Sequence, residues 1–323
     1  MPHTTAARGT TWVISFFSGE FGKRAWQDSN LRHTAPETVA LSPELQARAS
    51  GNRQGDVTVT PTALQRMAGR LKSLTQQLNY AAPYMYAVIS DIHGNLEALE
   101  AVLRDVPEEV ETIYCLGDVI GYGANPDECC DIVRELEMPT ISGNHDLAVT
   151  DLETDLNWFN PTAAAAVLWT RDHLSEENAE FLRTRPRMMQ SDDALFVHGS
   201  VRDPDEYIIN RVSAEENLAI LRSEYPDVGI CFFGHTHVKA VSPSPNGTML
   251  GGHNLDLRFG GPYLVNPGSV GQPRDGDAFA SYVIADGERV LYRFVEYDIG
   301  KAQAKIRAAG LPDVLADRLA LGR

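Results

Sequence analysis

Four short polar blocks of this chain contain five of its nine histidines, and a fifth block adds a carboxylate. In chain order they are Ser90-Asp91-Ile92-His93-Gly94-Asn95, Leu116-Gly117-Asp118, Ser142-Gly143-Asn144-His145-Asp146, Phe196-Val197-His198-Gly199 and Gly234-His235-Thr236-His237. Imidazole nitrogens combined with carboxylate and amide oxygens suit divalent transition metals. Each block follows an apolar run that reads as a strand. Residues two apart on a strand point the same way, so Asp91 with His93, and His235 with His237, are expected to converge. Gly94 lets the chain turn sharply. Taken singly, His198-Gly199 reads as a loop and Asp118 as a turn cap. Five such blocks in order, each at a strand end, read as one metal site. Strands of a sheet bring their carboxyl ends to a common edge, where α/β proteins place ligands.

The elements that must carry these blocks alternate from Met85 onward. Tyr86 to Ser90 reads as a first strand, and Leu96, Leu99, Val102, Leu103 and Val106 fall at helical spacing after Asn95, the expected N-cap. A second strand is expected over 112–116, a helix over 126–136 and a short strand over 140–142. Asn160-Pro161 opens an Ala-rich helix with proline at its first position. Ser213 and Glu216 have capping-box spacing. Ala194 to Val197 and Gly229 to Phe233 are apolar β runs. Asn246-Gly247 and Asp286-Gly287 are hairpin signals, the second joining 279–285 to 289–297. Two short helices follow Gly300, parted by Gly310 and Pro312. Strand–helix units followed by hairpins predict an α/β fold: a four-layer α/β/β/α sandwich of two mixed β-sheets flanked by helices.

Composition narrows the function. The chain has 323 residues, 43% hydrophobic and 22% charged, which is ordinary globular usage. Its formal charge of −16 argues against a general role in coating nucleic acid. The longest apolar run, Ala163 to Trp169, has seven residues, far short of the roughly 20 that span a bilayer. Cys115, Cys129, Cys130 and Cys231 show no CxxC spacing. Reduced thiols in a cytoplasmic protein are expected, with Cys129 in the core and Cys130 at the surface. Charge divides the chain near residue 85: residues 1–84 carry +4 and the remainder −20. The early segment lacks apolar periodicity apart from Leu64, Met67, Leu71 and Leu74. It is expected to be a loosely ordered extension, or upstream sequence before a natural start at Met85. The string 26–36 resembles an RNA gene translated in frame. The domain of interest is thus 85–323.

The five ordered blocks resemble the signature of the calcineurin-like metallophosphoesterase superfamily: D-x-H, G-D, G-N-H-D, H-G and G-H-x-H, here spread from Asp91 to His237. The resemblance covers about 85–297 and implies two packed sheets flanked by helices. It implies that Asp91, His93 and His237 hold one divalent ion, that Asn144, His198 and His235 hold another, and that Asp118 bridges both. Manganese is favoured, with Fe, Ni, Zn, Co or Mg as alternatives. A hydroxide shared by ions ~3.5–4 Å apart would attack phosphorus in line with the leaving oxygen. His145 is implied to assist the leaving group, as proton donor or electrostatic stabiliser.

Protein phosphatases of the superfamily read G-D-x-x-D-R-G where this chain has Gly117-Asp118-Val-Ile-Gly121-Tyr122-Gly123. Gly121 replaces an orienting aspartate and Tyr122 a phosphate-gripping arginine. Asn266-Pro-Gly-Ser-Val270 instead looks like the C-terminal signature of small bacterial phosphodiesterases. It reads either as a turn or as a substrate contact, and Arg274 just beyond it is the nearest basic candidate for a phosphate grip. The reading is a phosphodiesterase acting on small phosphoesters. The alternatives are a phosphomonoesterase, a nucleotide or protein phosphatase, or a non-catalytic metal-binding scaffold. His173 reads as a charge partner at a helix C-terminus, His253 as a loop residue, and Trp158, Phe159 and Trp169 as packing residues, with Trp158 able to border the cleft.

Overall fold

A computed structural model describes residues 84–243, 251–257 and 261–323. Apart from Tyr84, the expected extension over 1–84 lies outside the described residues, as do its short helix at Leu64–Leu74 and the Asn246-Gly247 turn.

Two five-stranded sheets form the centre. The first runs β2-β1-β9-β10-β7, built from β1 (Tyr86–Ile89), β2 (Thr112–Cys115), β7 (Leu255–Asp256), β9 (Ala280–Ala285) and β10 (Arg289–Val295). Within it β1 and β2 are parallel, whereas β1–β9, β9–β10 and β10–β7 are antiparallel. The second runs β3-β4-β5-β8-β6, from β3 (Met188–Ser191), β4 (Ala194–Val197), β5 (Ile230–Phe232), β6 (Ala240–Ser242) and β8 (Tyr263–Asn266). There β4, β5 and β8 are parallel and the two edges antiparallel.

Alternation along these strands builds three apolar layers. Tyr86 and Val88 from β1 meet Phe196 from β4 and Phe232 from β5 between the sheets. Ala87 and Ile89 face the other way, onto α1 (Leu96–Asp105) and α2 (Pro126–Glu135). Leu195, Val197 and Cys231 turn outward to Ala214, Leu218 and Leu221 of α6 (Arg211–Glu224). Both sheets are mixed and helices lie on their outer faces, as expected from the strand–helix order.

Local chemistry explains most boundaries. Asn95 Oδ1 accepts from the Ala98 N–H to cap α1. Asn160 caps α4 (Pro161–His173), with Pro161 where its missing N–H costs nothing. The Asp286-Gly287 turn joins β9 to β10, with Gly287 at φ 78°. After β10, α7 (Ile299–Ala308) and α8 (Asp313–Asp317) pack their apolar faces on Tyr122 and on Ala163 and Ala166 of α4.

Three local expectations need correction. Asn210, rather than Ser213, caps α6, because its side chain accepts from the Val212 and Ser213 N–H groups and starts the helix earlier. Residues 140–142 form a single parallel bridge from Thr140 to Cys115 instead of a strand. Cys130 is buried like the other three cysteines, because α2 is covered on both the Cys129 and Cys130 sides. No helix among the described residues is long and apolar enough to cross a membrane.

Candidate metal centre

The ligand-bearing blocks do not lie on strands. β1 ends at Ile89 and β5 at Phe232, before Asp91 and His235 are reached. Asp91, His93, Asp118, His235 and His237 instead adopt left-handed backbone, with φ between 51° and 63°. Such conformations cost on the order of 1–3 kcal/mol each for residues with a Cβ, and persist only where surrounding structure over-determines them. Here hydrogen bonds between loops do so. The Asp91 N–H donates to Gly117 O and the His93 N–H to Asp118 O, while Gly271 N–H and Val270 N–H donate to Asp91 O and Ser90 O. Strand alternation is therefore not what brings Asp91 and His93 together. It also fails for His235 and His237, which part to different partners.

Two groups of donor atoms result, each spanning less than 4.8 Å: Asp91, His93, Asp118 and His237, and Asp118, His198 and His235. All are buried. Asp118 belongs to both. Its Oδ1 accepts from the His145 N–H at 2.8 Å, which turns Oδ2 toward His198 Nε2 at 3.3 Å and His93 Nε2 at 3.5 Å. Asp91 is held in the same way: Oδ2 accepts from Ser90 Oγ and the His235 N–H, and Oδ1 faces His237 Nε2 at 3.3 Å. Asn144, first residue of α3 (Asn144–Thr150), places Oδ1 3.2 Å from His198 Nε2, beside the second group.

The tautomers follow from carbonyl acceptors. Nδ1–H of His93, His198 and His237 donates to the carbonyls of Ile120, Leu116 and Gln272. A neutral ring so held carries its lone pair on Nε2. The Nε2 atoms of His93 and His237 then face each other at 3.1 Å, two acceptors without a proton between them. Asp91 Oδ1, Asp118 Oδ2 and His235 Nε2 are buried without a hydrogen-bond partner. Orphaned acceptors of this number in one place are costly unless cations complete them. The donor set thus fits divalent metal ions.

Electrostatics agree with a site built for positive charge. Burial pushes Asp91 up to about 7 and drives His235 down to about 3 and His145 to about 4. Burial likewise takes His93 and His237 well below the usual histidine range. Burial opposes charge on Asp118, yet the His198, His145 and His93 imidazoles hold it well below the usual carboxylate range. Burial opposes charge on His198 too, but neighbouring Asp118 outweighs it and raises His198 to about 9. A bound cation takes the place of that proton, because a ligating imidazole is neutral.

His145, on α3 next to Asn144, is held by rings instead of a carboxylate: Tyr122 at 4.4 Å, His93 at 4.9 Å and Phe159 at 5.2 Å between centroids. A Cβ at Gly121 (φ 99°) would stand 2.7 Å from His145 Nδ1, so the glycine makes room for this ring. The Asn266–Val270 stretch is structural. Asn266 Nδ2 donates to Gly234 O and Thr236 Oγ1, and Ser269 Oγ donates to Asp91 O, which props both ligand loops from below.

Arg274 does reach the site. Its Nη2 donates to Gln272 Oε1 at 2.9 Å and lies 3.3 Å from Tyr122 Oη, and its guanidinium is 5.7 Å from the Tyr122 ring centre. Lys239 steadies that loop through Asp275 at 2.6 Å and Asp277 at 3.2 Å.

Two residues here carried no assignment in the sequence. Asp146 is buried and accepts from the Gly143 and Ile120 N–H groups, joining the loops of Asn144 and Asp118; its spacing from Gly143 is a capping signal. Tyr207 lies 3.9 Å from the His235 ring, with no local motif to announce it. His173 stacks on Trp169 in the last turn of α4, with Nδ1 2.7 Å from Trp169 O, and His253 stands outside both donor groups.

Comparison with known proteins bears on what such a centre is. The chain is 41% identical over 249 residues to an uncharacterized protein of Methanocaldococcus jannaschii, covering 74% of this chain and 98% of that one. A metallophosphoesterase from Sphaerobacter thermophilus is 42% identical, with a TM-score of 0.64 over 75% of this chain and all of its own. A hypothetical protein from Pyrococcus horikoshii shares the fold at 23% identity, with a TM-score of 0.62 over 74% of this chain and 98% of its own. The sequence model of the calcineurin-like phosphoesterase superfamily domain matches residues 85–289, a span that contains every donor atom of both groups. By that match and that kinship, the chain belongs to the calcineurin-like phosphoesterase superfamily.

Proposed function

We propose that this chain hydrolyses small phosphoesters with two divalent metal ions, manganese foremost, and that its substrates are phosphodiesters. The observation that carries the reading is the pair of facing Nε2 acceptors of His93 and His237, 3.1 Å apart, beside orphaned oxygens of Asp91 and Asp118. Asp91, His93 and His237 would hold one ion, Asn144, His198 and His235 the other, with Asp118 shared. Bound there, divalent ions supply a water acidified to a pKa of about 7 and neutralise charge on phosphoryl oxygens. His145 would assist the departing oxygen, and the Arg274 guanidinium would offer its positive charge to a non-bridging oxygen.

The preference for diesters rests on Tyr122, which stands where protein phosphatases carry an arginine. A phosphomonoester reading has one observation in its favour: Arg274 leans over that same tyrosine and returns a positive charge to it. Metal analysis, followed by hydrolysis of an aryl diester and the matching aryl monoester under identical metal and salt, decides between them. The diester is expected to show the higher kcat/KM. A better monoester across Mn, Ni, Zn and Mg transfers the assignment to a phosphomonoesterase. Two bound metals with no hydrolysis would leave a non-catalytic scaffold.

A further inference from the structure

Beside the donor groups lies a cavity of about 590 Å³, within the roughly 300–1,000 Å³ of small-molecule sites, that phosphate chemistry alone leaves unexplained. Its inner wall is formed by Asn144, His145 and His235, so it opens directly onto the reacting centre. Aromatic rings form much of the rest. Trp158, at the end of the 3-10 turn Leu156–Trp158, is 89% exposed, and Tyr207 is 48% exposed. The Trp158 ring, left unpacked beside a buried polar centre, is available for stacking, whereas Tyr207 already leans on the His235 ring at 3.9 Å and is half exposed. Phe159 meets His145 edge-on, which makes the aromatic wall continuous with the centre.

Carboxylates line the same cavity: Asp155, Asp203 and Asp205. Asp205 is paired with Arg187 at 2.9 Å. Asp155 accepts from the backbone and side chain of Asn157, and Asp203 from the Asp205 N–H. Neither of these two has a cationic partner among the described residues.

We infer that this cavity is the subsite for the alcohol portion of the phosphoester, and that it takes a nucleoside. The inference rests on the phosphoesterase reading above. A nucleoside offers a planar face to Trp158 and Tyr207, and its hydroxyl and amino groups donate to Asp155 and Asp203. Every base has such a face, so stacking tolerates base identity. The two unpaired carboxylates repel any further anionic group, which selects against polyphosphate chains and nucleic-acid strands. His145 stands at the junction, between the phosphate end and the alcohol end.

Two measurements on the full-length, metal-loaded protein test this. The first needs no turnover: adenosine is titrated by calorimetry and by quenching of tryptophan fluorescence. Saturable binding is expected, about 10-fold weaker in Trp158→Ala, the scale of one lost base stack. Because Trp158 is exposed, that variant retains the native circular dichroism spectrum. The second compares kcat/KM for diesters with matched leaving groups, bearing a nucleoside, an aliphatic alcohol, or a nucleoside with an added terminal phosphate. The nucleoside diester is expected to lead. In the double variant Asp155→Asn, Asp203→Asn, the ratio of the phosphate-bearing to the plain nucleoside diester should rise about 10-fold as the repulsion is removed. Equal adenosine affinity in wild type and Trp158→Ala, or equal kcat/KM for all three diesters, overturns the subsite. Adenosine bound with every phosphoester left intact overturns the phosphoesterase reading, and with it the leaving-alcohol role, while keeping the cavity a nucleoside site. Diester hydrolysis without adenosine binding overturns the subsite alone.

Discussion

Asp118 divides its two oxygens between tasks. Oδ1 is spent on the His145 backbone N–H, and Oδ2 stands between His93 and His198, in reach of both donor groups. Asp118→Asn keeps the first interaction and removes the shared charge. Metal content of the purified variant is therefore expected to fall at both positions, by more than the roughly 10–100-fold in affinity that changes around a metal's ligands cost. Two full equivalents retained would refute the bridging position. His145 makes the complementary case, since its ring touches other rings and no donor group includes it. His145→Ala is expected to keep both metals and lose ~10²–10⁴-fold in kcat. The loss should shrink for esters with good leaving groups if proton donation dominates, and unchanged turnover on a poor leaving group would remove His145 from the reaction.

At the scale of elements, the site is a set of loops locked to one another. Gly271 shows how tightly: a Cβ there would stand 1.7 Å from Ile92 O, in the segment between Asp91 and His93. Its N–H also donates to Asp91 O. Gly271→Ala must push the two loops apart and is expected to destabilise the fold by ~1–3 kcal/mol, the usual cost of overpacking. Denaturant melts check the stability, and metal titration of the same variant should show weakened binding, because Asp91 and His93 move with the loop. An unaltered melt and titration would mean that this contact does not hold the ligands. The caps Asn95 and Asn160 work at the same scale but nearer their own sequence, which is why both are legible in it.

For the whole molecule, the centre sits where two sheets meet and joins loops from both. Asp91, His93 and Asp118 follow strands of the first sheet, and His198, His235 and His237 follow strands of the second. Cations that complete the orphaned oxygens of Asp91 and Asp118 on one side and the orphaned Nε2 of His235 on the other would therefore act as staples between the sheets. Removing them by chelation is expected to lower the melting temperature by ~10 °C, taking about 4 kcal/mol for a ligand at 1,000 times its dissociation constant and 2–4 °C per kcal/mol. Readdition of manganese should restore it. A melting temperature indifferent to chelator, in protein shown to have lost its metal, would count against a stapling role.

The identity and order of the chemical residues, the main strand–helix succession and the caps at Asn95 and Asn160 were determined by sequence alone. Ligand types appear as residue types, periodicity exposes a sheet's two faces, and a cap bonds only two or three residues away. The tertiary structure decided the rest. Asp91 and His93 converge through left-handed backbone imposed by carbonyls of Gly117 and Asp118, not through strand alternation. His235 and His237 part to different donor groups for the same reason. Cys130 is buried because neighbours cover a helix face that its own segment leaves open. Arg274 arrives over Tyr122 from 152 residues away. A chain's local pattern encodes spacing and capping, whereas the sign of φ in a loop and the company a side chain keeps depend on hydrogen bonds and packing from distant segments. Only the assembled fold supplies those.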